Sequence, residues 1–151
     1  MTELRDLYQE VIMDHNRNPR NYGCLQEASH FAEGFNPLCG DQLKLYLYIN
    51  DSNTIEDVSF EGQGCAISTA SASIMTEILL GLGLNEAKQY FHAFCALAIG
   101  ENKHLESDVD LGKLEVLKGV SEYPARVKCA TLAWHTLQAA LKGEKEPAKT
   151  E

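Results

Sequence analysis

The spacing of apolar residues changes period once along the chain, and that change constrains the fold more than any other feature. Leu43, Leu45, Leu47 and Ile49 alternate with Lys44, Tyr46 and Tyr48. A period of two is that of a half-buried strand, here residues 42–49. Asp51-Ser52-Asn53 supplies a turn, and Ile55, Val58 and Phe60 begin a returning strand. A further strand is expected around residues 31–35. After Gly62-Gln63-Gly64 the pattern becomes helical, and residues 66–80 are rich in small side chains that let a helix sit close to a sheet. Strands first and helices after predict an α+β fold, a small antiparallel three-stranded sheet packed by helices.

The flanking segments extend that plan. Leu4, Leu7, Tyr8, Val11, Ile12 and His15 recur at helical spacing, which predicts a helix over residues 3–15 with Thr2 as N-cap. Residues 16–23 are polar and punctuated by Pro19 and Gly23, so they read as a loop. Gly81 and Gly83 end the small-residue helix. Asn85 is the expected cap of the next one, with Ala87, Phe91, Phe94, Cys95 and Ala98 on one face. Residues 100–110 read as a polar surface excursion, followed by a short helix near 111–118. Pro124 suits the first turn of a last helix over 123–142, whose two weakly polar stripes predict packing on two sides. Residues 1–142 therefore read as one domain, and 143–151 as a charged, flexible tail.

Charge narrows the function. The chain carries 13 Lys+Arg against 22 Asp+Glu, a net charge of −9, which argues against nucleic acid or an anionic membrane as the main partner. No run approaches the roughly 18 apolar residues of a membrane span. No basic stretch followed by an apolar one marks a signal peptide, so a cytoplasmic, reducing location is expected. The five cysteines, Cys24, Cys39, Cys65, Cys95 and Cys129, are odd in number and widely spread, unlike a secreted disulfide framework.

Three of them stand where the backbone changes course. Cys39 lies in the turn Asn36-Pro37-Leu38-Cys39-Gly40-Asp41, Cys65 follows Gly62-Gln63-Gly64 between strand and helix, and Cys129 lies early in the last helix. If they converge with Asp41, they form three sulfur donors and one oxygen donor, a set that suits tetrahedral Zn²⁺. The alternative for each cysteine is packing as a small hydrophobe. Such a site would carry net negative charge, and Arg126 and Lys128 are near enough in sequence to Cys129 to offset it. Cys95 reads as core, and Cys24 matches no ligand pattern.

The three cysteine segments, the last running from Tyr123-Pro124-Ala125-Arg126-Val127-Lys128-Cys129 through Trp134, closely resemble the motifs of the U-type iron–sulfur assembly proteins. That family comprises IscU, SufU and the N-terminal domain of NifU. The resemblance runs from about Leu4 to Leu141, and Asp14-His15 and Asn18-Pro19-Arg20-Asn21 are similar to the family's start. IscU-type members carry His immediately before the third cysteine, where this chain has Lys128, and they have a shorter stretch between the second and third cysteines. Both departures resemble SufU.

The resemblance implies a zinc-dependent sulfurtransferase. It would accept persulfide sulfur from a SufS-type cysteine desulfurase and pass it to a SufB-containing scaffold complex. It further implies Cys39, Asp41, Cys65 and Cys129 as zinc ligands, Cys39 as sulfur acceptor and Arg126 as a residue of the desulfurase interaction. A desulfurase histidine would displace Cys39 from zinc and free it to attack. Two other readings compete: a scaffold that holds a transient iron–sulfur cluster on the same ligands, and a binding module in which zinc only staples the fold.

Overall fold

The computed structural model describes the backbone of residues 2–100, 110–143 and 148–149, and their side chains except those of 2–8 and 149. Three strands form an antiparallel meander: β1 (His30–Asn36), β2 (Asp41–Ile49) and β3 (Ile55–Gln63). Alternation decides their faces. Leu43, Leu45 and Leu47 are buried while Gln42, Lys44 and Tyr48 are exposed. On β3 the inward residues Ile55 and Val58 are three apart, which strict alternation forbids. A register shift opposite Tyr48 and Ile49 inserts one residue and turns both inward.

The fold class is the one expected, with one addition from the tail. Ala148 and Lys149 form a short strand, β4, parallel to β1 at Gly34 and Phe35, so the sheet order is β3-β2-β1-β4.

Among the described residues, four α-helices pack with the sheet: α1 (Thr2–Arg17), α2 (Ala66–Leu79), α3 (Leu84–Ile99) and α4 (Pro124–Lys142). Residues 70–76 of α2 are all buried, and the small side chains of Ala70, Ser71, Ala72 and Ser73 allow close neighbours. Ser71 Oγ donates to Ala130 O at 2.6 Å, tying α2 to α4. His15 Nδ1 meets Ser73 Oγ at 2.7 Å, tying α1 to α2. Helix α4 packs on the sheet, α2 and α3, as its two stripes predict, and Trp134 is buried against Phe94 with ring centroids 5.4 Å apart.

Two local expectations need correcting. The cap of α3 is Gly83 rather than Asn85, because Leu84 N–H already bonds to Asn53 O in the β2–β3 turn at 3.1 Å. The segment near 111–118 is a 3-10 helix over Gly112–Glu122. Leu114, Leu117 and Val120 recur every third residue there, and all are buried, which matches three residues per turn. The expected cap Thr2, the contacts of Leu4, Leu7 and Tyr8, and the excursion over 101–109 lie outside the described residues.

Candidate metal centre

Hairpin geometry sets the first part of the site. Asn36 and Asp41 are paired across β1 and β2, so residues 37–40 must reverse the chain. Gly40 permits this by adopting φ +73°, and its N–H bonds to Asn36 O at 2.9 Å. Cys39 stands exposed at the loop tip, beside Leu38, which is 64% exposed. Asp41, the first residue of β2, is fully buried.

The α2 N-terminus supplies the second part. Cys65 is its N-cap, with extended backbone, and its Sγ accepts from Ser68 N at 3.5 Å. Cys65 N–H donates to Asp41 Oδ1 at 2.9 Å, which joins the start of β2 to the start of α2. Close approach requires glycine at position 64, since a Cβ there would lie 2.5 Å from Asp41 Oδ1.

Helix α4 supplies the third. Cys129, early in that helix, is fully buried, and its Sγ lies 3.5 Å from Cys39 Sγ. One ligand atom from each of Cys39, Asp41 and Cys129 lies within 4.8 Å of the others. Chain segments separated by about 90 residues in sequence thus meet at one end of the sheet, a placement that spacing alone could not reveal. Cys65 adjoins this group through its bond to Asp41, with its thiol engaged at the helix cap.

Burial first, and then the neighbouring Asp41, Cys39 and Cys65, push the Cys129 thiol well above its ordinary range. Two thiols and a carboxylate gathered in this space, two of them fully buried, fit a divalent cation. Arg126 is exposed in the first turn of α4, three residues before Cys129, and Lys128 is half-buried.

The remaining cysteines stay apart. Cys95 is half-buried on α3, and burial pushes its thiol up to about 12. Cys24 is exposed. Asn36, which the sequence marks only as the start of the Cys39 turn, also belongs to the site: it is fully buried, and its Nδ2 lies 3.1 Å from Asp41 Oδ2 and 3.6 Å from Cys129 Sγ. Its place in the site follows from standing opposite Asp41 once the hairpin closes.

Residues 7–130 match the family described as NifU-like N terminal domain. The chain belongs to that family. The chain is 43% identical over 141 residues to the zinc-dependent sulfurtransferase SufU of Bacillus subtilis (strain 168), covering 93% of each chain. It is 37% identical over 142 residues to the iron–sulfur cluster assembly scaffold protein IscU of Streptococcus pyogenes serotype M1, covering 94% of this chain and 87% of that one. Among solved structures, it superposes with TM-score 0.79 and 37% identity on FiSufU of Fervidobacterium islandicum AW-1. That protein is described as a candidate iron–sulfur cluster assembly scaffold for the SUF system, and the match covers 89% of this chain and 96% of that one. Among the described residues, no helix is long and apolar enough to cross a membrane.

Proposed function

We propose that this chain is a zinc-dependent sulfur carrier of iron–sulfur cluster assembly, which accepts sulfur on Cys39 from a SufS-type cysteine desulfurase in the cytoplasm. The observation that carries this reading is the asymmetry of two adjacent thiols. Cys39 is exposed on a loop tip, while Cys129, 3.5 Å away, is fully buried. Only the first can meet sulfur delivered by another protein.

Cys39, Asp41, Cys65 and Cys129 would hold the zinc. When bound, zinc keeps thiols deprotonated and shielded at neutral pH. In the transfer itself, the Cys39 thiolate attacks the outer sulfur of the donor's persulfide. A new S–S bond forms at Cys39, the donor's S–S bond breaks, and the donor cysteine leaves as a thiolate that takes up a proton. The product is a persulfide on Cys39, and no oxidant or reductant is consumed. Arg126, exposed near the site, supports the desulfurase interaction. The sulfur then passes to a SufB-containing scaffold complex.

The sulfurtransferase relative supports this reading. The IscU relative supports a second one, in which the same donors hold a transient iron–sulfur cluster. Lys128, where IscU-type proteins carry His, removes a donor from that alternative. Metal and acid-labile sulfide per chain, measured after anaerobic purification without added metal, separate the two. The expected result is about one zinc and no sulfide, as one tetrahedral site requires, with faster alanine release from cysteine by the desulfurase. Iron with matching sulfide would favour the scaffold. No acceleration with zinc and Cys39 intact would overturn the carrier.

A further inference from the structure

We propose that Asn36 is a positioning residue of the metal centre, whose two amide hydrogens aim Asp41 and Cys129 at a common point. This role rests on the zinc-dependent function proposed above. Asn36 is the last residue of β1 and is fully buried. Its Oδ1 accepts from Leu38 N at 3.3 Å. A backbone N–H can only donate, so this bond settles which end of the amide is oxygen. Nδ2 therefore faces the site, 3.1 Å from Asp41 Oδ2 and 3.6 Å from Cys129 Sγ. One side chain thus touches ligands from two elements, β2 and α4, and also shapes the loop that carries Cys39.

The Asp41 carboxylate is consequently held from both sides. Asn36 binds Oδ2, and Cys65 N–H binds Oδ1 at 2.9 Å. A carboxylate has about four acceptor positions, so two donors fix its direction and still leave room for a cation. The chemistry of the amide also suits the place. A Lys or Arg there would supply donors together with a formal positive charge that repels a divalent ion. Asn supplies the donors without the charge. Outer groups that orient ligands in this manner typically govern metal affinity by about 10–100-fold.

The test compares Asn36→Leu, Asn36→Ser and wild type, all as full chains. Zinc affinity is read by competition with a chelating dye, ligand geometry by the absorption of Co²⁺-loaded protein, and folding by the melt of the metal-free form. Asn36→Leu keeps a similar branched shape and adds no charge, but loses both donors. It is expected to bind zinc about 10–100-fold more weakly and to shift the cobalt bands. Asn36→Ser, with one donor, is expected to fall between. Wild-type affinity and wild-type cobalt bands in folded variants would overturn the role of Asn36. Loss of metal-free folding in both variants would overturn it too, because a purely structural role would then suffice. A wild-type chain that binds neither zinc nor cobalt would overturn the zinc reading itself.

Discussion

Cys39 and Cys129 are two side chains of one type that differ in solvent exposure. Their sulfurs are 3.5 Å apart, yet one is exposed and one is fully buried. Cys39→Ser should therefore abolish acceleration of the desulfurase while changing metal-free stability by no more than about 0.5 kcal/mol, as for a surface substitution. Assaying alanine release beside a denaturant melt checks both halves. Gly64→Ala should act in the opposite manner, through geometry. Its Cβ would press on Asp41 Oδ1 from 2.5 Å and on Ser68 Oγ from 2.6 Å. A destabilisation of about 1–3 kcal/mol is expected, as for overpacking, with lower zinc occupancy by metal analysis. At this scale Cys39 and Asp41 were legible, because a Pro/Gly turn before an alternating strand marks a loop tip. Asn36 was not, because its partner on α4 is distant in sequence.

Elements meet through particular residues, and two of those meetings can be probed. Gly34 of β1 faces α4, and a Cβ there would lie 2.0 Å from Thr136 Oγ1 and 3.1 Å from Leu132 Cδ1. Gly34→Ala should cost about 1–3 kcal/mol. Part of that loss should return in the double variant with Thr136→Ala, which a double-mutant cycle would reveal as coupling.

The second meeting involves His15, buried between α1, α2 and the 3-10 segment. Its Nδ1 faces Ser73 Oγ, and its Nε2 lies 3.5 Å from both Glu77 Oε1 and Lys113 Nζ. Burial, then Arg20 and Lys113, hold its pKa below the ordinary 6.5, against the opposing pull of Glu77 and Asp14. A lowered folded pKa means that the unfolded chain protonates first as pH falls. Stability from His15 is thus complete above pH 6.5 and is lost as pH drops through the folded value.

Melting temperature should therefore fall as pH drops below about 6.5, and His15→Gln should flatten part of that slope. The flattening is partial because burial lowers His135 as well. Asp14, held below 3.8 by its hydrogen bond to Arg20, acts in a separate, more acidic window. An identical slope in His15→Gln and wild type would count against the assignment. Helix spacing in the sequence announced α1; its attachment to Ser73 depends on two helices lying side by side, which no local pattern encodes.

At the scale of the molecule, the candidate metal centre sits where β1, β2, α2 and α4 converge, so zinc bound there should hold the domain together. Chelation should lower the melting temperature, since metal binding contributes folding free energy when the unfolded chain lacks the site. An unchanged melt after confirmed zinc removal would contradict that.

Sequence alone determined the three antiparallel strands and the four α-helices, because strand and helix follow from the spacing of apolar residues within one segment. It also marked out Cys39, Asp41, Cys65 and Cys129 as a candidate donor set through their turns and motifs. Only the tertiary structure decided how those residues meet. It brought Cys39, Asp41 and Cys129 within 4.8 Å of one another and left the Cys65 thiol at the α2 cap. It placed Asn36 between Asp41 and Cys129, and it laid Ala148 and Lys149 along β1. Each of these outcomes depends on contacts between segments far apart in the chain, where side-chain volume and hydrogen-bond direction decide and local periodicity is silent.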